Sequence, residues 1–311
     1  MANKTRVGVV GVGYLGRFHA LIYSRMTNVE LVGVVDSNAE TATKVAAECD
    51  CEAYTNSHDL IGKIDAVSVV VPTTAHLAVA RPFLEQGVHM LLEKPIATTC
   101  DEGREIVELA DKMGAVLQIG HLERFNAGVM ALADRISKPR FIEAHRMGEF
   151  VARATDVDVV SDLMIHDIDI ILSLVNSDIT SIAAVGTRVL TDHIDIANAR
   201  LEFANGAVAN VIASRVSEKK LRRIRVFEEN LYQSLDFIEQ RIETAYPKPN
   251  PDSEWPEITV EKIDIEPIKP LDTELAAFID CINSGEKPLV DGHVGLEALE
   301  VALKVKEIIG Q

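Results

Sequence analysis

The sequence predicts an α/β protein of two domains: an N-terminal doubly wound parallel sheet, then an α+β domain with a mostly antiparallel, open-faced sheet. A chain of 311 residues is long enough for two domains. Residues 1–122 alternate short apolar runs with longer amphipathic segments, the pattern of successive βα units. Beyond residue 122, strand-like runs follow one another with few helices between them. We therefore predict domains 1–122 and 123–311.

The first domain contains apolar runs that are rich in Val, Ile and Leu on both faces, as buried parallel strands are. These predicted strands are residues 7–10, 30–35, 66–71, 88–92 and 115–119. The amphipathic segments between them predict helices near residues 16–26, 39–47, 74–85 and 100–112. Gly87 and Gly114 follow two of these helices, where a glycine commonly ends a helix.

The second domain is predicted to begin with strands 141–146, 182–190, 197–203, 207–215 and 222–227. Asn205-Gly206 is a strong turn signal and predicts a hairpin between two of them. Residues 246–256 contain four prolines and predict a loop. Helices 274–283 and 294–309 close the chain, and the sequence leaves open whether they pack back on the first domain.

The composition argues against several classes of protein. A net charge of −17 disfavours nucleic acid and anionic membranes, which are bound through Lys and Arg. The apolar runs are shorter than the ~20 residues of a membrane span, and the N-terminal residues lack a signal-peptide cleavage site. Cys49, Cys51, Cys100 and Cys281 have no zinc-binding spacing, so we expect free thiols in the cytoplasm and no metal.

A glycine-rich motif joins the first predicted strand to the first helix. Gly11-Val12-Gly13-Tyr14-Leu15-Gly16 matches G-x-G-x-x-G, and the acidic Asp36 ends the next strand. This context is typical of a Rossmann domain that binds a dinucleotide, with the pyrophosphate at the helix N-terminus. Asp36 would accept hydrogen bonds from the ribose hydroxyls and repel a 2′-phosphate. We therefore expect NAD rather than NADP.

Two further motifs follow predicted strands of the first domain. Val71-Pro72-Thr73-Thr74-Ala75-His76 starts a helix, and Glu93-Lys94-Pro95 follows the next strand. Both are expected at the carboxyl edge of the sheet, where ligands bind. A lone lysine at a strand end is usually solvated, but Pro95 would fix the direction of Lys94. Beside a nicotinamide cation Lys94 could exchange a proton near neutral pH.

In this order and spacing, the three motifs resemble those of the glucose–fructose oxidoreductase, inositol dehydrogenase and rhizopine-catabolism (Gfo/Idh/MocA) family of NAD(P)-dependent oxidoreductases. The resemblance covers essentially the whole chain. It implies cofactor contacts from Pro72, Thr73, His76, Glu93 and Lys94, in addition to the glycine-rich motif and Asp36. It also implies a homodimer or homotetramer.

The second motif of that family, Asp-x-Gly-x-His-x-x-Asp, corresponds to residues 162–169, with Met164 in place of the glycine. The resemblance implies that Lys94 and His166 flank the sugar hydroxyl that is oxidised, and that Asp162 orients His166 or binds the sugar. Which of Lys94 and His166 is the main base stays open. The alternative role for His76, His121 or His166 is that of a buried structural histidine.

Gly-His-x-Glu-Arg-Phe-Asn at residues 120–126 is similar to a subgroup of the family, the UDP-N-acetylglucosamine 3-dehydrogenases, although Ala127 replaces an expected proline. These enzymes oxidise the C3 hydroxyl of the sugar in amino-sugar and lipid A synthesis. The resemblance implies a set of substrate-binding residues, namely His121, Glu123, Arg124, Asn126 and Arg146.

A basic segment supports a nucleotide-sugar substrate. Residues 200–225 contain seven Lys or Arg and two Glu in an otherwise acidic chain. With Arg124, Arg146 and Arg153 they could hold a diphosphate. The alternative is a solvated sheet face or an oligomer contact. Three functions stay open: a nucleotide-sugar 3-dehydrogenase, a dehydrogenase of a free sugar or inositol, and a non-catalytic dinucleotide sensor.

Overall fold

The computed structural model describes residues 4–151 and 157–310. Its helices are α1 Tyr14–Tyr23, α2 Ala39–Cys49, α3 His76–Leu84, α4 Cys100–Met113, α5 Ala127–Ala133, α6 Ile165–Val175, α7 Pro270–Ser284 and α8 Gly292–Gly310. Its strands are β1 Thr5–Val10, β2 Val29–Val35, β3 Glu52–Tyr54, β4 Ala66–Val69, β5 His89–Glu93, β6 Leu117–Gly120, β7 Phe141–Met147, β8 Ile179–Thr187, β9 Ile196–Phe203, β10 Val208–Ser214, β11 Leu221–Glu228, β12 Leu231–Asp236, β13 Arg241–Lys248 and β14 Glu257–Asp264.

These elements form two compact units. The first contains the chain up to Leu122 together with Lys269–Leu299, and the second contains Glu123–Ile268 and the chain from Glu300 onward. The chain leaves the first unit between residues 122 and 123, the predicted boundary. Residues 269–299 belong to the first unit. The two units are therefore not two continuous stretches of the sequence, as a single domain boundary would require. No helix among the described residues is long and apolar enough to span a membrane.

The first unit is built on a six-stranded sheet in the order β3-β2-β1-β4-β5-β6, in which every pair of neighbours is parallel. The prediction of a doubly wound parallel sheet is confirmed, and the strand order reverses between β1 and β4, where such sheets bind ligands. The prediction missed β3, a three-residue strand with little apolar signal.

Helix α7 completes the core of the first unit. Its side chains Leu275, Phe278 and Ile279 are fully buried and pack in one cluster with Ala20 and Tyr23 of α1. The apolar face of α7 therefore belongs to this core, although 146 residues separate Leu122 from Lys269 in the sequence. Because the sequence pattern shows that a helix has an apolar face but not which surface covers it, only the folded chain settles this placement.

The second unit has an eight-stranded sheet in the order β14-β13-β12-β11-β7-β10-β9-β8. Only the β7–β10 pair is parallel, so the predicted mostly antiparallel sheet is confirmed. The hairpin at Asn205-Gly206 joins β9 to β10, and Gly206 has φ +82°. The structure adds β12, β13 and β14, which the sequence patterns did not predict.

The predicted loop at residues 246–256 is wrong at its start, because β13 continues through Lys248. Pro247 lies beyond Ala245, the last residue of β13 that pairs with β12, so its missing N–H removes no hydrogen bond to that strand. Pro247 instead lies opposite Ile258 of β14. A proline is therefore compatible with this end of the strand, and the proline count overstated the length of the loop.

Candidate active site

The glycine-rich loop has the conformation that a dinucleotide site requires. Gly11 has φ +85°, and a Cβ added to it would lie 2.5 Å from the carbonyl oxygen of Val70. A Cβ on Gly16 would lie 1.8 Å from the carbonyl oxygen of Gly11. Gly13 faces open space, and no side chain caps the start of α1. The first N–H groups of α1 are therefore available to an anion.

The carboxylate of Asp36 is fixed beside this loop. Its Oδ2 accepts the N–H of Val12 at 3.0 Å, and its Oδ1 accepts the N–H of Asn38 at 2.9 Å. Asp36 lines a cavity of about 430 Å³ with Gly11, Gly13 and Pro72. No Lys or Arg lines this cavity among the described residues. The arrangement fits a dinucleotide, because the glycines leave room for a pyrophosphate and each carboxylate oxygen keeps a lone pair for a ribose hydroxyl.

Three other predicted cofactor contacts differ in how exposed they are. Tyr14 is 79% exposed and packs edge-on against Phe18, with ring centroids 5.4 Å apart. Leu15 and Thr73 are half-buried. None of these three predicted contacts is among the residues lining the cavity, whereas Gly11, Gly13, Asp36 and Pro72 are.

His76 is a buried histidine that joins two loops. Its Nε2 lies 3.0 Å from the carbonyl oxygen of Val71, and its Nδ1 lies 3.2 Å from that of Ile96. Burial lowers the pKa of His76. The ring lies between the segment after β4 and the turn that contains Lys94, and in its neutral form its single N–H donates to one of these two carbonyls. Lys94 itself is half-buried, directly after β5, and its peptide bond to Pro95 is cis.

Glu93 contacts residues that the sequence analysis did not select. His19 of α1 is fully buried, and its Nε2 lies 3.4 Å from Oε1 of Glu93. A Cβ on Gly120 would lie 2.9 Å from Oε2 of Glu93, so this glycine makes room for the carboxylate. His19 falls within the apolar pattern of α1, and no local signal separates it from an ordinary core position.

A second buried carboxyl group in the first unit was also missed. Glu274 of α7 is fully buried, and neither of its carboxylate oxygens has a hydrogen-bond partner among the described residues. Burial and the nearby charge of Glu93 raise the pKa of Glu274 well above its usual range. The two glutamates are 181 positions apart, so the spacing in the sequence contains no sign of this interaction.

In the second unit, Asp162 and His166 lie one helical turn apart. Asp162 belongs to a π-helical turn, Val160–Met164, and His166 is the second residue of α6. Asp158 starts this segment: its Oδ1 accepts the N–H of Ser161 at 2.9 Å, and Lys306 of α8 lies 2.8 Å from its Oδ2.

Met164 stands where the family motif has a glycine. Its φ of −64° and ψ of −33° are ordinary helical values, and its side chain is fully buried. The backbone here does not need the freedom of a glycine. The core therefore accommodates the methionine with ordinary helical backbone angles, at the junction between the π-helical turn and α6.

Arg146 is the centre of a buried ion network. Its Nε and Nη2 donate to the two carboxylate oxygens of Asp167 at 2.9 and 2.8 Å, and its Nη1 donates to Glu123 at 2.7 Å. Burial opposes the charge of Arg146, but the two carboxylates raise its pKa above the ordinary value. The guanidinium also lies over the ring of Phe237, 5.4 Å from the centroid. Three of the five N–H groups of this arginine are therefore bound by carboxylates of its own protein.

The neighbouring predicted substrate residues are also engaged internally. Arg124 donates to Asp169 at 3.2 Å. Asn126 caps α5 by accepting the N–H of Gly128 at 2.9 Å, and its amide donates to Glu123 at 3.3 Å. His121 is fully buried and belongs to the first unit. The structure thus groups Glu123, Asn126 and Arg146, and pairs Arg124 separately with Asp169.

A second cavity of about 430 Å³ lies wholly within the second unit, and Asp162 is part of its wall. Its cationic wall residues are Arg146, Arg215, Lys220 and Arg222. Arg215 is held by the carbonyl of Val157 and lies 3.8 Å from Asp195. Arg153, a further predicted cation, lies outside the described residues.

The basic segment is divided between the two faces of the sheet. Arg223 and Arg225 alternate with Arg222 along β11 and form ion pairs with Glu243 and Glu143. They do not line the cavity of the second unit. Part of the segment therefore belongs to a cavity and part to surface ion pairs, and the sequence pattern alone could not separate these roles.

These features define an oxidoreductase of the Gfo/Idh/MocA family, to which the chain belongs. Residues 5–121 match the oxidoreductase family with an NAD-binding Rossmann fold, and residues 127–230 match the GFO/IDH/MocA C-terminal domain. Together the two matches cover most of the chain.

Among individual proteins, the chain is 37% identical over 302 residues to the UDP-N-acetylglucosamine 3-dehydrogenase of Acidithiobacillus ferrooxidans, covering 97% of this chain and 96% of that enzyme. A solved structure of this enzyme superimposes with a TM-score of 0.92 at 36% identity, covering 98% of both chains. The chain is also 28% identical to the scyllo-inositol 2-dehydrogenase (NAD(+)) of Bacillus subtilis, over 70% of this chain and 69% of that enzyme.

Proposed function

We propose that this protein is an NAD-dependent dehydrogenase of a nucleotide-sugar, and that it oxidises the C3 hydroxyl of UDP-N-acetylglucosamine or a close relative. The observation that carries the proposal is the cation-lined cavity of the second unit, which also includes Asp162. The similarity to a UDP-N-acetylglucosamine 3-dehydrogenase along 97% of the chain supports the choice of substrate. A diphosphate needs such cations in a chain with a net charge of −17.

The cofactor is held by the first unit. Gly11, Gly13 and Gly16 leave room for a pyrophosphate at the start of α1, and Asp36 accepts the ribose hydroxyls. Asp36 and the lack of a cationic residue in the described wall of this cavity favour NAD over NADP, because a 2′-phosphate needs a positive partner. When bound, the nicotinamide ring accepts a hydride.

Lys94, His166 and Asp162 serve the chemistry of the hydroxyl. As the C–H bond at the carbinol carbon loses its hydride, the O–H proton must pass to a base and a ketone forms. Lys94 and His166 are the two candidates for this base. Asp162 either orients His166, one helical turn away, or accepts a hydrogen bond from the sugar.

The second candidate is a dehydrogenase of a free sugar or inositol. The similarity to scyllo-inositol 2-dehydrogenase over 70% of the chain favours it. This alternative leaves the cationic wall of the second cavity without a ligand, and the lower identity gives it less support. For either substrate we place the protein in the cytoplasm, since no disulfide joins its cysteines among the described residues.

A homodimer or homotetramer remains our expectation for the assembly. The two edge strands of the second sheet carry exposed apolar side chains: Val185 of β8 is 67% exposed, and Ile258 and Val260 of β14 are 62% and 55% exposed. Apolar groups of this kind are typical of surfaces that pair with a second copy.

The test is NADH formation with NAD and a panel of UDP-N-acetylglucosamine, its uronic acid, UDP-glucose, glucose and myo-inositol. A transaminase and glutamate are added to remove the ketone and draw the reaction forward. We expect turnover only with UDP-N-acetyl sugars. Turnover only with glucose or myo-inositol would refute the proposed substrate and favour the second candidate.

A further inference from the structure

Two arginines of the second cavity stand directly opposite each other in the sheet. Arg146 of β7 is in register with Arg222 of β11, so both side chains point to the same face. Like charges placed opposite each other on neighbouring strands repel. Burial and the charge of Arg146 lower the pKa of Arg222. The two arginines differ in how their charges are compensated.

The charge of Arg146 is compensated within the protein. Three of its N–H groups donate to Asp167 and Glu123, and only 3% of the residue is exposed. With two carboxylates on one guanidinium, little positive potential is left for a ligand. Arg146 therefore acts as the support of the cavity wall.

The charge of Arg222 is compensated less directly, because the carboxylates of Glu123, Asp167 and Asp162 favour it only through space. Within residues 4–151 and 157–310, no ion pair or hydrogen bond of its guanidinium is found, although the side chain is half-buried in the cavity wall. Ile224 and Val226 lie on the same face of β11 and are fully buried, so the strand alternation places Arg222 on the covered face of the sheet. None of its nitrogen atoms is among the enclosed polar atoms without a partner, so its five N–H donors remain accessible to a ligand in the cavity.

The geometry points to Arg222 as the residue that binds the diphosphate of the substrate, with Lys220 as a second cation at the exposed edge of the cavity and Arg146 as a support without ligand contact. The planar fork of a guanidinium matches two phosphate oxygens, which the ammonium of Lys220 cannot do. Asp162 lines the same cavity and repels phosphate, so it faces the sugar. The choice of diphosphate rests on the proposed function.

The test measures binding of UDP to the full chain by titration calorimetry. Arg222→Gln removes the charge and keeps the length, and Arg222→Lys keeps the charge but not the fork. Arg225→Gln is the matched control, since it removes an arginine of the same strand from the opposite face, where it pairs with Glu143. We expect Arg222→Gln to weaken UDP binding by at least about 10-fold, Arg222→Lys by less, and the control by less than about 2-fold.

Turnover provides a second measurement. A phosphate contact is made equally in the ground state and the transition state, so Arg222→Gln should raise KM for UDP-N-acetylglucosamine far more than it lowers kcat. Higher salt should reduce the difference between the wild type and this variant, because a charged contact is screened. A fall in kcat with an unchanged KM would overturn the assignment.

The outcomes separate this inference from the proposed function. If the wild type oxidises UDP-N-acetylglucosamine and Arg222→Gln binds UDP as tightly as the wild type, the role of Arg222 is refuted and the function stands. If UDP binding depends on Arg222 while only a free sugar is oxidised, the anion site stands and the function fails. A wild type that does not bind UDP overturns both.

Discussion

The two cavities of this protein have the same volume, about 430 Å³, but offer different kinds of groups to an anion. The first uses backbone: three glycines and the uncapped start of α1 offer N–H groups, and among the described residues its wall contains one acid and no cation. The second uses side chains, with Arg146, Arg215, Lys220 and Arg222 in its wall. Backbone recognition depends on a short continuous motif. Side-chain recognition depends on distant residues that keep buried charges in place.

The largest effect should come from the chemistry rather than from either anion site. Lys94→Ala should lower kcat by about 10²–10⁴-fold, the usual contribution of a proton-transfer group, and should weaken NAD binding far less, because Lys94 is one of many expected cofactor contacts. Lys63→Ala is the control in the same unit, since Lys63 is exposed and contacts Tyr54. Steady-state NADH formation and NAD titration measure the two quantities. Near-normal turnover of Lys94→Ala would contradict the proposed role.

Arg146→Gln disrupts the buried ion network that supports the wall of the second cavity. This change leaves the buried carboxylate of Asp167 without its partner, and we expect the free energy of unfolding to fall by about 3–5 kcal/mol. Urea unfolding followed by circular dichroism measures it. Arg241→Gln, which removes an exposed pair with Asp264, should cost far less, because solvent screens an exposed ion pair. Equal losses in both variants would show that the buried network is not a support.

The contribution of Asp36 to cofactor binding in the first cavity can be tested with Asp36→Asn. The amide keeps an oxygen for the N–H of Val12 but loses the negative charge, so NAD should bind about 10-fold more weakly and NADP should be rejected less. The ratio of kcat/KM for NAD and NADP measures this change. A ratio equal to that of the wild type would show that another feature selects the cofactor.

The smallest expected effect is on the pH dependence of stability, through the buried carboxyl group of Glu274 in the first unit. Because the pKa of Glu274 is raised in the folded state, the folded protein retains a proton that the unfolded chain releases. Its contribution to stability is complete below the ordinary pKa of a carboxyl group and is lost as the pH rises towards the folded pKa, by at most about 1.4 kcal/mol per pH unit. Glu274→Gln should flatten this slope. Urea midpoints between pH 5 and about pH 8 test it, and an unchanged slope would assign the dependence to another group.

The first unit shows how much a local pattern can predict. Buried parallel strands, the glycine motif and Asp36 were all predicted, because the chemistry of a βαβ unit lies within a few dozen consecutive residues. Gly11 and Gly16 are required by the path of the backbone itself. His19 and Glu274 could not be predicted, since each looks like a member of an amphipathic helix until the helix has packed.

The second unit shows what a local sequence pattern cannot predict. The strands β12 to β14 were missed because their alternation of apolar and polar residues is weak. The prolines of residues 246–256 also led to the prediction of a loop where β13 ends. The basic segment was visible in the sequence, but its division was not: one residue of difference along β11 sends Arg222 into a cavity and Arg223 to an ion pair. The side chains of a strand alternate between faces, so their roles depend on register and on what covers each face.

By itself, the sequence determined the class of fold and the dinucleotide motif, since these follow from periodicity and from a short motif with a chemical purpose, while the residues proposed for proton transfer came from the resemblance to a family. The tertiary structure decided which charges are already neutralised. Arg146 and Arg222 look equivalent in the sequence, but Asp167 and Glu123 form direct ion pairs with Arg146. The reason is physical: the availability of a charge depends on its partners within a few ångströms, and chain folding alone brings those partners together.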